Sequence, residues 1–166
     1  MKKRKHFLLL VASLCLVAGV FAGSVADARG NVAVGLTAPK YVATGSTFIA
    51  SVNIKNVVDL YAANYDVTFE PNVLEVTNVS NGLIAGTAIP VDIWREITPG
   101  TIRLINTLPA LSGVSGSGYL AKLEFRVIGS AGSNSYIKLS SGVLSNTSAN
   151  EIPATWSQTS VRVYRW

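Results

Sequence analysis

The 166-residue sequence contains one cysteine, one histidine and one methionine, and all three fall at its start, as Cys15, His6 and Met1. Beyond Cys15 there is neither a thiol nor an imidazole. This excludes disulfides as a source of stability, and with them cysteine nucleophiles and histidine-dependent triads. It also removes the donor sets that hold zinc, copper or haem. Charge is scarce as well: Asp, Glu, Lys and Arg make up 14% of the chain, so large solvated faces must be built from Ser, Thr and Asn.

Paired carboxylates are the one catalytic arrangement left. The candidates are Asp66, Glu70, Glu75, Asp92, Glu96, Glu124 and Glu151. Glycoside hydrolysis needs two carboxyls about 5 to 9.5 Å apart across a cleft. Asp66, Glu70 and Glu124 read instead as groups on solvated strand faces or turns, and Asp92 and Glu96 flank Trp94-Arg95 in an apparent loop. No acidic run has the spacing of a calcium loop. The expectation is a non-enzyme with no cofactor and no metal of its own.

The first 28 residues read as a signal peptide. Lys2, Lys3, Arg4, Lys5 and His6 form a cationic start, Phe7 to Phe21 is apolar, and Ala26-Asp27-Ala28 fits a small-x-small cleavage site. The apolar run is about 15 residues, short of the roughly 20 that span a bilayer. A secreted, extracellular or cell-surface location follows, with membrane attachment only if the leader stays uncleaved. Four of the 14 basic residues and Asp27, one of nine acidic ones, leave with the leader, which reduces a formal +5 to about +2. No basic stripe remains for nucleic acid.

Residues 29–166 read as a single all-β domain. Phe48, Ala50, Val52 and Ile54 alternate with polar or exposed neighbours, as do Ala121, Leu123, Phe125 and Val127, and Val161 with Val163. Turn chemistry separates the runs at Thr44-Gly45-Ser46, Asn81-Gly82, Pro99-Gly100 and 129–135. About nine short strands at this spacing indicate a sandwich or jelly roll. The segment 101–108 is ambiguous: Ile102 and Leu104 share one parity, while Ile105 lies on the other with Arg103 and Thr107. Cover on both sides and an outward apolar docking face both remain open for it. The Ser/Gly run 112–118 lacks the Lys-Ser/Thr of a phosphate loop and reads as a hairpin connection. Asn78-Val-Ser80 and Asn146-Thr-Ser148 match the glycosylation pattern.

The most informative stretch is Val58–Val76, VDLYAANYDVTFEPNVLEV. Tyr61, Ala63, Tyr65, Val67 and Phe69 are apolar, whereas Asn64, Asp66 and Thr68 are polar, so one face is buried and the other presents polar groups. A Glu70-Pro71-Asn72 turn and a second short strand follow. This pattern resembles the cohesin family, whose corresponding strand runs Leu-Tyr, an alternating stretch, then Asp-Pro-x-Val-Leu-Glu-Val. The Gly/Ser run leading into Tyr119-Leu-Ala-Lys-Leu-Glu-Phe-Arg-Val127 is similar to the family's loop before a Leu-Ala-x-Ile-x-Phe strand. The resemblance covers about residues 31 to 165.

That resemblance implies a nine-stranded jelly-roll β-sandwich, related to cellulose-binding-module sandwiches. It implies a secreted, non-catalytic module that binds a dockerin-bearing protein in extracellular polysaccharide-degrading complexes such as the cellulosome, with calcium carried by the dockerin. The family's partner-binding positions carry over to Asn64, with Asp66 beside it, and to Ile97, Leu104 and Asn106. Asn64 stands where an aspartate is usual, and the family's loop carboxylate falls near Pro109. These departures imply a divergent specificity. Two alternatives stand beside this reading: a carbohydrate-binding β-sandwich with polysaccharide as partner, and a structural cell-envelope subunit. Against a sugar platform, Trp94 and Trp156 fall in irregular segments, Trp166 is terminal, and no strand carries two aromatics on its polar face.

Overall fold

The computed structural model describes residues 31–109 and 112–165; the expected leader with its cleavage site, and Trp166, lie outside them. Strands form wherever apolar residues recur at every second position. In chain order they are β1 (Val32–Thr37), β2 (Tyr41–Ala43), β3 (Thr47–Thr68), β4 (Leu74–Ile84), β5 (Thr87–Ile89), β6 (Val91–Thr98), β7 (Thr101–Thr107), β8 (Val114–Val127), β9 (Asn134–Asn146), β10 (Ala154–Trp156) and β11 (Thr159–Tyr164). Several of the eleven are three-residue segments.

The 22-residue β3 organises the sandwich. Its first part pairs antiparallel with β1 and β8. Its second part, from Leu60, pairs antiparallel with β7 and β9. One layer is therefore β1, early β3, β8, β4 and β5; the other is β6, β7, late β3 and β9. At the ends, β10 runs parallel to β1, and β11 runs between β2 and β9. Phe48, Ala50, Val52 and Ile54 point into the interlayer core, as do Ala63, Tyr65, Val67 and Phe69. They meet Leu123, Phe125, Leu104 and Ile137 there. Phe125 stacks on Phe48 at 5.3 Å and takes the edge of Phe69 at 5.2 Å.

The crossing between layers requires a bend. Two register shifts bracket Val57, and Asn56 (φ 57°) and Asp59 (φ 56°) adopt left-handed backbone. Bulges leave peptide N–H groups outside the ladder. Here the Asn56 N–H donates to Ser117 Oγ at 3.0 Å and the Asp59 N–H to Ser115 Oγ at 2.9 Å. The Ser/Gly run is thus not the expected hairpin connection but the start of β8, from Val114. Its glycines are steric requirements: a Cβ on Gly113 would collide with Asp59, and one on Gly118 with the Leu83 carbonyl.

Two further expectations change. Asn81-Gly82 is not a turn but lies inside β4, a strand of 11 residues rather than a short one, with Gly82 opposite Ile89. A Cβ at Gly82 would strike the Tyr119 and Leu120 carbonyls. The hairpin instead turns at Ala85-Gly86, where both φ angles are positive, the requirement of a type I′ turn. The apparent loop around Trp94 is strand β6, and Trp156 lies in β10 with its ring against Tyr65.

Asn106, a polar residue in the core, connects three segments. Its Nδ2 donates to the Pro90 carbonyl at 2.7 Å and to the Leu120 carbonyl at 3.1 Å. Replacement by Ala leaves those acceptors without this donor and is expected to cost about 1–3 kcal/mol in urea unfolding, with the slope unchanged.

Candidate functional site

The outward face of β6, β7, late β3 and β9 is built by register. Residues opposite one another across an antiparallel pair share a face. Ile93 is opposite Ile105, Ile105 opposite Asn64, and Asn64 opposite Val143. This gives one row of three apolar side chains interrupted by a single carboxamide. Ile93 and Val143 are 47% and 46% exposed, and Asn64 is also exposed.

The neighbouring row is Arg95, Arg103, Asp66 and Ser140. Arg103 grips Asp66 with two hydrogen bonds, Nε to Oδ1 at 2.8 Å and Nη2 to Oδ2 at 2.9 Å. Those bonds, and then the carboxylate's charge, push the guanidinium further above its ordinary range. Asp66 is consequently buried although it faces outward, which corrects the expectation of a solvated carboxylate. Arg95 has no ion-pair partner among the described residues. A third row, Thr98, Thr101, Thr68 and Lys138, closes the face with hydroxyls and one ammonium.

The residues expected from sequence separate into two groups. Asn64 lies at the centre of the face, Asp66 beneath the Arg103 fork, and Ile97 exposed on β6 at a register shift. Leu104 and Asn106 do not join them. Both point inward, 0% and 1% exposed, because their parity is that of Ile102 and Leu108. A side chain without accessible surface cannot meet a partner while the sandwich stays closed. The outward parity of β7 belongs to Arg103, Ile105 and Thr107.

The structure adds Ile93, Arg95, Arg103, Ile105 and Val143 to the face. Ile105 had a visible signal, an apolar residue on the polar parity of its strand. Val143 had none, because the left-handed Ser141 (φ 50°) shifts the register of β9 just before it. Tyr65, directly beneath, keeps its hydroxyl buried without a hydrogen-bond partner, and burial pushes that phenol far above its ordinary value.

The cohesin domain model matches residues 32–163. Solved structures share the fold. A non-cellulosomal cohesin from the archaeon Archaeoglobus fulgidus is 21% identical, covers 81% of this chain and 91% of its own, and superposes with a TM-score of 0.67. A cohesin module from a Clostridium perfringens family 33 glycoside hydrolase is 16% identical over 83% of this chain and 98% of its own, at 0.69. A type I cohesin–dockerin complex from Clostridium thermocellum is matched at 16% identity over 81% of this chain and 95% of the matched one, at 0.65. No curated protein matches the sequence.

Opposite parity on β7 makes a sharp contrast. Leu104→Ala is expected to cost about 2–5 kcal/mol in chemical denaturation, through the cavity it leaves. Ile105→Ala, one residue away, should stay below about 1.5 kcal/mol, since its side chain already meets water.

Proposed function

The chain belongs to the cohesin family, and on that premise we propose that it is an exported, non-catalytic adhesion module. In this reading the β6–β7–β3–β9 face takes a dockerin-bearing protein outside the cell, in assemblies that degrade polysaccharide. The observation that carries the reading is the row Ile93–Ile105–Asn64–Val143, apolar surface on the outside of a sheet whose inside already holds a complete core. Contiguous exposed apolar surface rimmed by polar groups is the usual mark of a protein contact. The solved cohesin–dockerin complex of like fold supports the same choice of partner.

The chemistry of the face defines what a partner must present. Ile93, Ile105 and Val143 supply desolvated anchors, with Ile97 at the edge. Asn64 supplies a carboxamide that both donates and accepts, so it fixes register without demanding an opposite charge. Asp66 acts through Arg103: both oxygens of its largely buried carboxylate are engaged by the fork, which holds the guanidinium in place. The free cation of Arg95 favours an acidic group opposite it on the partner. Calcium enters this reading only as part of the dockerin.

Titration of immobilised protein with a panel of calcium-loaded dockerin modules tests the reading. Ile105→Asp and Asn64→Ala are each expected to weaken capture about tenfold or more while leaving the thermal midpoint near that of the parent. Chelation of calcium should abolish capture by unfolding the partner, not this chain. Capture unchanged in both variants would exclude this face.

A further inference from the structure

A second surface adjoins the docking face past its third row, where β11 runs between β2 and β9. Tyr41 is opposite Arg162, Arg162 opposite Asn134, and Ser160 opposite Tyr136. Val161 and Val163 are buried, so the alternate residues Ser160 and Arg162 face solvent together with both tyrosines. Tyr41 is 57% and Tyr136 52% exposed. Between the two rings lie two adjoining hollows of about 390 and 200 Å³, both lined by Lys40, Tyr136 and Ser160. Gln158 and Thr159 border the first; Tyr41, Asn134 and Arg162 border the second.

The charge of this groove has one sign. Lys40 Nζ lies 5.9 Å from the Tyr41 ring centroid and Lys138 Nζ 5.5 Å from that of Tyr136. Neither lysine, nor Arg162, has an ion-pair partner among the described residues. The nearby carboxylate of Glu70, on an exposed residue, is engaged by Ser135 Oγ and the Tyr136 N–H, each at 3.0 Å. Two exposed rings, the uncompensated cations of Lys40 and Arg162, and hydroxyl and carboxamide groups therefore line the two adjoining hollows, with Lys138 beside Tyr136 outside that lining.

We propose that this groove binds an acidic saccharide, a segment of uronate-bearing polysaccharide. Sugar faces stack on tyrosine rings, and Asn134, Gln158 and Ser160 match hydroxyl groups. The Arg162 fork and the two ammonium groups match the ring carboxylates. A neutral glycan leaves the three cations unused. An acidic peptide satisfies the cations but brings no sugar face to the tyrosine rings, and the open edge beside the groove, β2, is only three residues long. Sequence inspection one strand at a time could not find this site, since its tyrosines come from different strands. Lys138, at the rim of the docking face, is shared with this groove, but none of Ile93, Ile105, Asn64 and Val143 lines it.

Calorimetric titration of the purified protein with oligogalacturonate, a neutral cello-oligosaccharide of equal length and poly-glutamate is the test. Oligogalacturonate is expected to bind best. Arg162→Gln and Tyr136→Ala should each weaken it about tenfold or more, with dockerin capture unchanged. Tyr41→Ala, on the opposite wall, gives the same readout should the Tyr136 variant lose its fold. The proposal is overturned by the absence of saturable oligogalacturonate binding or by equal binding of the neutral oligomer. Equally tight binding of poly-glutamate that ignores the tyrosine substitutions also overturns it.

Discussion

The bend of β3 between the two layers is the constraint on which the rest of the sandwich depends. A strand that leaves one sheet for the other takes peptide groups out of its ladder at the corner, and at this solvent-exposed bend each replacement hydrogen bond contributes a net of about 0.5–1.5 kcal/mol. Ser115 and Ser117 meet this demand with hydroxyls, and the intervening and flanking glycines let β8 come close enough for them to do so. Without the corner, early β3 and late β3 could not each be the centre of a different sheet. Their apolar parities, Ala50–Val52–Ile54 and Ala63–Tyr65–Val67, would then not face each other across one core.

The same corner determines the outward face. Late β3 emerges with Asn64 and Asp66 pointing away from the core, and β7 and β9 flank it in fixed register. Apolar residues at the outward positions of three different strands thereby fall on one line. Asp66 and Arg103 hold the adjacent line, and their bidentate geometry limits the freedom of a side chain that would otherwise sweep across the apolar row. In the proposed docking role, such a surface relies on shape and on one central carboxamide more than on charge.

Much of this was legible in the chain itself. Period-two alternation located the core residues of early β3, late β3, β8 and β11, because a half-buried strand has no other way to satisfy both faces. The Val58–Val76 pattern pointed to the right family, and its period placed Asn64 on the outward parity of β3. Legibility failed where one residue type serves two physical purposes. Glycine beside asparagine at 81–82 suggested a turn, yet Gly82 is there because carbonyls of β8 press against it. The serines and glycines of 112–118 suggested a loop, yet they complement a bulge that lies 56 to 61 residues earlier in the chain. Leu104 looked like an anchor because the parity of β7 could not be oriented from its own residues; only the register with Tyr65 orients it.

A strand placed at the centre of both layers also governs how the domain is reached from the unfolded chain. Apart from a short-range ladder with β1, β3 pairs with β7, β8 and β9, all of which come much later in sequence. Loop-closure entropy must therefore be overcome before either layer gains its pairing, which places folding in the slow class, on the order of milliseconds to seconds. During that interval the alternating apolar run of β3 is without its neighbours and open to the strands of other chains. Hydroxyl-rich outer parities and the bulged corner act as kinetic safeguards in that window, interrupting the flat, continuous edge on which aggregation would begin.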